Sequence, residues 1–302
     1  MTVPGPNRAH PLTHQQGRVG RPPTRVTILL TGAAMELIAS RSNAFVRKLR
    51  LLKSRGADED LMLLEGPTLL EEALATGIAV SEVAASPRLT RSQRGRTLVQ
   101  AVEDRTIPLR WLDDRLLSSL SEVETTQGIL ALAHRPAFNE EAILGGRPLI
   151  LVAVGVQNPG NLGSLLRAAE AAGASGAFLA AGTADPLSWK ALRGAMGSAF
   201  RLPHVRGLEP LAVLETLRSR AIVSIATVAT GGRPHDRVDL RRPIALWLGN
   251  EGAGLPAEVV QAADERVTIP MAGGVESLNV AVAAGVLLFE AARQRRAAPS
   301  TP

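Results

Sequence analysis

The strongest constraint on this chain is a series of short, predominantly apolar runs in its second half, each separated from the next by a stretch with helical spacing. Leu149–Val154, Gly176–Ala180, Ala221–Val228, Ile244–Leu248 and Val267–Ile269 are continuous rather than alternating. Strands of that kind are covered on both faces, which implies a parallel sheet between two layers of helices. The segments Leu162–Ala172, Leu187–Met196, Leu208–Arg218, Pro256–Ala262 and Asn279–Arg296 supply the helices, and Gly173 closes the first of them. The last is apolar around most of its surface, so it must be buried against a partner surface. The fold class is therefore α/β, with a mostly parallel sheet in a domain over 148–296.

The first half carries a weaker version of the same alternation. Helices are expected over Asn43–Lys53, Gly66–Gly77, Thr90–Val102 and Asp113–Leu120, and strands over Leu61–Leu64, Val80–Ala85, Leu109–Leu112 and Ile129–Ala133. These make a small α/β domain over 40–134. The stretch Arg135–Pro148, with two prolines and Gly145-Gly146, reads as a linker over 135–147. Met1–Ala34 holds no acid but carries Arg8, Arg18, Arg21 and Arg25, so residues 1–39 read as a disordered basic tail. They lack the charged-then-apolar order of a secretory signal. Residues 297–302 read as a second tail.

Composition removes several chemistries. Without cysteine there is no disulfide, no Cys-ligated zinc, no iron–sulfur cluster and no thiol nucleophile. The five histidines are scattered, so no metal site is expected. No apolar run approaches the ~18 residues of a membrane span, and a soluble, cytoplasmic protein is expected. Thirty-four basic against 28 acidic residues, a net charge of +6, favours a polyanionic partner.

Three loops at strand ends hold the candidate chemistry, where ligands of open α/β sheets collect. The first is Asn158-Pro159-Gly160-Asn161-Leu162-Gly163, opening a helix that carries Arg167. Asn161 stands where an N-cap belongs, and a capped helix with Arg167 paired to Glu170 accounts for this segment without any function. The second is Gly249-Asn250-Glu251-Gly252-Ala253-Gly254-Leu255, whose glycines let backbone groups approach a ligand. Its spacing is not that of a dinucleotide fingerprint. The third runs from Ile269-Pro270-Met271 through Gly273-Gly274 to Ser277-Leu278-Asn279-Val280, where Ser277 or Asn279 caps the final helix or its free N–H groups meet a ligand.

Taken together, in order, the three loops resemble the SpoU/TrmH family of SPOUT methyltransferases. The first family motif is matched by Asn161, Gly163 and Arg167. The second is matched by Gly249, Asn250, Glu251, Gly254 and Leu255. The third is matched by Ile269, Pro270, Met271, Ser277, Leu278, Asn279 and Val280. Ala281 departs from the serine common after Asn-Val. Upstream, Leu64-Glu65-Gly66 and Glu124-Thr125-Thr126-Gln127-Gly128 look like the substrate-binding domain of ribosomal-RNA methyltransferases, itself similar to ribosomal proteins.

The resemblance implies a trefoil-knotted catalytic domain, a homodimer, S-adenosylmethionine as cofactor, and methylation of a ribose 2′-hydroxyl, with large-subunit ribosomal RNA as the expected substrate. It implies catalytic roles for Arg167, Asn161, Glu251, Ser277 and Asn279. Here Arg167 would grip a phosphate and stabilise the developing oxyanion, Glu251 would fix Arg167 or accept a hydrogen bond, and Ser277 would order the helix start. Gly249, Ile269, Leu278, Leu248 and Met271 would contact the cofactor, and Ala226–Thr230 would flank its adenosine. RNA is expected on the basic first helix, at Arg41, Arg47, Lys48, Arg50, Lys53 and Arg55. Aromatic residues are only 3% of the chain, so base stacking is a minor contributor. The competing readings are an RNA-binding or ribosome-assembly protein without catalysis, a transfer-RNA 2′-O-methyltransferase, a base methyltransferase and a nucleotide-dependent oxidoreductase.

Overall fold

The computed structural model describes residues 25–30, 33–55, 60–121, 123 and 125–297. Ordered chain begins upstream of Ser40. Strands β1 (Arg25–Leu30) and β2 (Ala33–Ile38) pair antiparallel. Leu37 and Ile38 are buried, and Ile38 bridges to Leu112. Residues 25–30 and 33–38 of the span expected as a basic tail over 1–39 are therefore strands instead, because they pair with each other and Leu37 and Ile38 reach the core. Residues 1–24 of that span lie outside the described residues, as do 298–302 of the second tail.

The first unit continues with α1 (Ala44–Arg55), β3 (Leu61–Glu65), α2 (Pro67–Ala75), β4 (Val80–Ala85), α3 (Gln93–Asp104), β5 (Leu109–Trp111), α4 (Asp114–Leu120) and β6 (Ile129–His134). Its sheet runs β3-β6-β4-β5, antiparallel except for the parallel β4–β5 pair. The linker is not bare chain. It holds α5 (Glu140–Leu144), capped by Asn139 Oδ1 on the Ala142 N–H at 3.0 Å. Ile143 is fully buried there, packed where a side chain on Gly176 would otherwise sit.

The second unit contains β7 (Leu149–Ala153), α6 (Pro159–Ala171), β8 (Gly176–Ala180), α7 (Trp189–Ala195), α8 (Ser198–Arg201), β9 (His204–Leu208), α9 (Pro210–Ser219), β10 (Val223–Thr227), β11 (Arg233–Pro234), β12 (Ile244–Leu248), α10 (Ala257–Ala262), β13 (Glu265–Thr268) and α11 (Val280–Ala297). Its seven strands are ordered β11-β13-β10-β12-β7-β8-β9, and every pairing is parallel. Both faces are covered, as continuous apolar strands require. Leu149, Leu151 and Ala153 of β7 join one core with α6, α7 and α11, while Ile150 and Val152 join the other with α5 and α9.

The first core continues across the domain boundary through Met62, Leu64 and Leu69. Polar ties reinforce it. Arg135 pairs with Asp185 at 2.5 Å, both side chains largely buried, and Arg201 pairs with both Glu72 and Glu170. The small unit is thus held in a fixed relation to the sheet. Among the described residues, no helix is long and apolar enough to cross a membrane, and no cluster of three or more potential metal ligands occurs.

Candidate active site

Helix α6 begins one residue after Asn158, which is its N-cap: Asn158 Oδ1 accepts from the N–H groups of Gly160 at 2.9 Å and Asn161 at 3.2 Å. Pro159 follows at the first helical position, where its missing N–H costs nothing. The capping role expected for Asn161 therefore falls to Asn158, and the Asn161 side chain is released for other work. Gly163, also on α6, faces α7. A Cβ there would lie 2.8 Å from the Ala195 nitrogen and 2.9 Å from the Gly194 Cα. Only glycine permits this approach, which brings α7 against the start of α6.

Asn161 is the hub of a side-chain chain across three loops. Its Nδ2 donates to Glu251 Oε1 at 2.8 Å, and its Oδ1 accepts from Asn279 Nδ2 at 3.1 Å. Asn279 Oδ1 in turn accepts from the N–H groups of Ala281 at 2.9 Å and Val282 at 3.4 Å, capping α11. The direction of every amide is dictated by the two ends: a carboxylate that can only accept, and helix N–H groups that can only donate. Ser277 makes no hydrogen bond among the described residues, so the expected ordering of the helix start belongs to Asn279.

Asn250 shapes the glycine loop. Its Oδ1 accepts from Gly252 at 2.9 Å and Ala253 at 3.0 Å, and its Nδ2 donates to the Gly155 carbonyl at 2.9 Å. Asn250 and Gly254 exchange both backbone hydrogen bonds, folding the loop so tightly that a Cβ on Gly249 would collide with the Gly254 backbone. Glu251 is held out at the apex toward Asn161.

A pocket of about 200 Å³ opens among the loops that follow β10, β12 and β13. All five expected cofactor contacts line it: Leu248, Gly249, Ile269, Met271 and Leu278. So do Glu251, Ser277 and, from the expected adenosine flank, Thr227–Ala229. Sequence reasoning missed the contribution of α11, where Val280, Ala283 and Leu287 form one wall; their helical spacing was the available signal. Thr227 Oγ1, donating to the Trp247 carbonyl at 2.7 Å, pins one rim.

Arg167 does not join this constellation. It is exposed, lies outside the pocket lining, and has no hydrogen-bond or ion-pair partner among the described residues. Glu170, the neighbour expected to pair with it, binds Arg201 instead, and that bond holds the Glu170 carboxyl below its ordinary range. Glu251, expected to fix Arg167, holds Asn161. Six residues beyond Asn161 on a helix, Arg167 is turned about 240° from it and lies ~9 Å further along.

The basic residues of α1 divide. Arg41, Arg47 and Arg50 are exposed. Lys48 pairs with Glu82 at 3.5 Å. Lys53 is half-buried at the domain boundary, donating to the Ser121 carbonyl at 3.2 Å with its ammonium 5.1 Å from the centre of the Trp189 ring. Its role is internal, because a cation so placed is already satisfied. The Arg55 side chain lies outside the described residues.

Comparison with known proteins agrees with this geometry. Residues 148–289 match the family model for the SpoU rRNA Methylase family, and residues 35–145 match that for the Thiostrepton-resistance methylase, N terminus. A Bacillus subtilis relative named 23S rRNA (guanosine(2553)-2′-O)-methyltransferase RlmP is 34% identical over 84% of this chain and 98% of its own length. A 23S rRNA (uridine(2479)-2′-O)-methyltransferase from Streptomyces viridochromogenes is 32% identical, covering 87% of this chain and 93% of the relative. Among solved structures, an RNA 2′-O ribose methyltransferase superposes with a TM-score of 0.75 at 33% identity, over 86% of this chain and 99% of that one. The SpoU methyltransferase AviRb from Streptomyces viridochromogenes, in complex with the cofactor AdoMet, does so at 0.74 and 30% identity, over 84% and 99%. Shared parallel-sheet architecture, matched motifs and near full-length similarity together make this chain a member of the SpoU family of RNA methyltransferases.

Proposed function

We propose that this protein transfers a methyl group from S-adenosylmethionine to a ribose 2′-hydroxyl of large-subunit ribosomal RNA in the cytoplasm. The observation that carries the reading is the Glu251–Asn161–Asn279 chain, anchored on the apolar pocket through Glu251 in its lining. The pocket fits the cofactor's chemistry. Leu248, Ile269 and Leu278 offer apolar surface for an adenine ring, backbone groups of the glycine loop lie beside it, and the Glu251 carboxylate is the single formal charge in the lining, of the sign that suits a sulfonium. Bound there, S-adenosylmethionine supplies an electrophilic methyl group. The protein's residues hold the sugar: Asn161 and Asn279, locked by their mutual bond and by Glu251, orient the ribose for in-line approach.

In the reaction the 2′-oxygen would bond the methyl group as the S–CH₃ bond breaks, S-adenosylhomocysteine would leave, and the 2′-hydroxyl proton would pass to solvent. A guanidinium stays protonated and is no base, so Arg167 serves by binding a phosphate and stabilising developing negative charge. Its distance from the pocket of its own chain accords with a homodimer in which Arg167 completes the partner's site. Exposed Val282 and Phe289, seven residues apart on α11, offer an apolar stripe for that contact. A trefoil knot formed by the loops around the pocket is part of the same proposal, as is capture of RNA by the domain upstream of residue 148. Relatives named for guanosine and for uridine occur at similar identity, so the target nucleotide is left to experiment.

Mapping ribose methylation in total RNA from cells with and without the gene tests the assignment. Loss of one 2′-O-methyl mark in 23S rRNA is expected; identical maps would refute it. Binding of ribosomal RNA without methyl transfer would favour the ribosome-assembly reading.

A further inference from the structure

A cleft of about 880 Å³ separates the two domains beside the start of α6. One wall is a single face of α7 and its end: Lys190, Arg193 and Met196, spaced by three residues, all exposed. Neither cation has an ion-pair or hydrogen-bond partner among the described residues, whereas the other cations around this boundary, Lys53, Arg135 and Arg201, are engaged. The opposite wall belongs to the small domain and presents Thr125 and Gln127. The acid on its floor, Glu65, is buried and takes the Ser121 hydroxyl, leaving two exposed cations against one buried acid in the lining.

The cleft is fastened to the reactive end. A Cβ on Gly194 would lie 2.8 Å from the Gly160 carbonyl oxygen. Arg193 is thus covalently next to a residue in backbone contact with the one that precedes Asn161.

We infer that this cleft is the track for the single-stranded RNA flanking the target nucleotide, with Lys190 and Arg193 binding successive phosphates and Met196 and Gln127 contacting a neighbouring base. The inference rests on the proposed RNA substrate. Two unpaired cations one helical turn apart suit a phosphate backbone. Met196 is a flexible, polarisable surface for a base in a chain poor in aromatics, and the Gln127 amide can both donate and accept. The volume lies in the upper part of the ~300–1,000 Å³ usual for ligand sites. The RNA would therefore enter between the domains rather than along α1.

The test is binding of a 23S rRNA transcript to full-length protein across a salt series, comparing wild type, the double variant Lys190→Gln/Arg193→Gln and the remote surface variant Arg105→Gln. The double variant should bind about tenfold more weakly near 0.1 M salt, and the slope of log affinity against log salt should fall in magnitude by about 1.4. Arg105→Gln should match wild type. Melting temperature and S-adenosylmethionine affinity, measured on the same proteins, should be unchanged in both. An unaltered affinity and slope in the double variant, or equal losses in both variants, would overturn the cleft. Methyl transfer by the wild-type protein, scored separately, decides the enzymatic reading: a protein that uses the cleft but transfers no methyl keeps this inference and loses that one.

Discussion

Asn161 donates to the Glu251 carboxylate at 2.8 Å although 90 residues separate them. That one bond joins the first turn of α6 to the loop after β12, and through Asn279 it reaches the start of α11. Three loops that are unremarkable singly become one rigid site because a carboxylate at one end and helix N–H groups at the other leave the intervening amides a single orientation.

Asn279→Asp separates the two jobs of Asn279. The carboxylate keeps the cap on α11, and a negative charge suits a helix N-terminus, so thermal stability should hold. The donor to Asn161 is lost and an anion faces its oxygen, so turnover should fall roughly 10²-fold, as for removal of one positioned donor. Parallel loss of stability and activity would return Asn279 to a merely structural role.

Gly163→Ala places a methyl group against the backbone of α7. Overpacking of this kind costs about 2 kcal/mol or more. A urea melt should show the loss, and an unchanged midpoint would mean that α6 and α7 are not so closely packed.

Arg167→Ala should abolish methyl transfer yet leave S-adenosylmethionine affinity nearly unchanged, since Arg167 lies outside the cofactor pocket. Mixed dimers of Arg167→Ala with Asn161→Ala chains test the shared site: partial recovery of activity is expected if Arg167 serves the partner, and none if it serves its own chain.

Glu290, on α11, titrates at about 2 instead of 4.5, chiefly through its hydrogen bond with Arg293, aided by Gln294. A carboxyl with a depressed folded-state pKa stabilises fully above its ordinary value and loses that contribution as the folded form protonates. Acid melts should therefore lose part of their stability between pH 4.5 and 2, and Glu290→Gln should flatten that loss. Identical acid profiles would contradict the ion pair.

Much of the architecture was legible because burial on both faces writes itself as apolar runs: β8 and β12 have the expected bounds, Gly176–Ala180 and Ile244–Leu248. The two edge strands of the large sheet, which lack such a run, were invisible. The edge strand β9 reads His-Val-Arg-Gly-Leu, and β11 is only Arg-Pro. Strands β1 and β2 hid beside a basic stretch, and α5 hid among prolines and glycines. Within the site, the motif residues and the five expected cofactor contacts of the pocket lining were readable, but its α11 wall was not. The partner of Glu251 was not, because it depends on how two loops meet in space. The cap of α6 was misread between two asparagines, though Pro159 marks Asn158 as the cap. Nor was the place of Arg167 outside the pocket lining readable, since six residues along α6 turn it about 240° away from Asn161.

The most direct test of the central claim is transfer of radiolabelled methyl from S-adenosylmethionine to a 23S rRNA transcript, followed by nuclease digestion and identification of the labelled nucleotide. Wild-type protein should yield one 2′-O-methylated nucleotide, and Asn161→Ala, folded and still able to bind S-adenosylmethionine, should yield essentially none. Label on a base, or full activity in Asn161→Ala, would contradict the account.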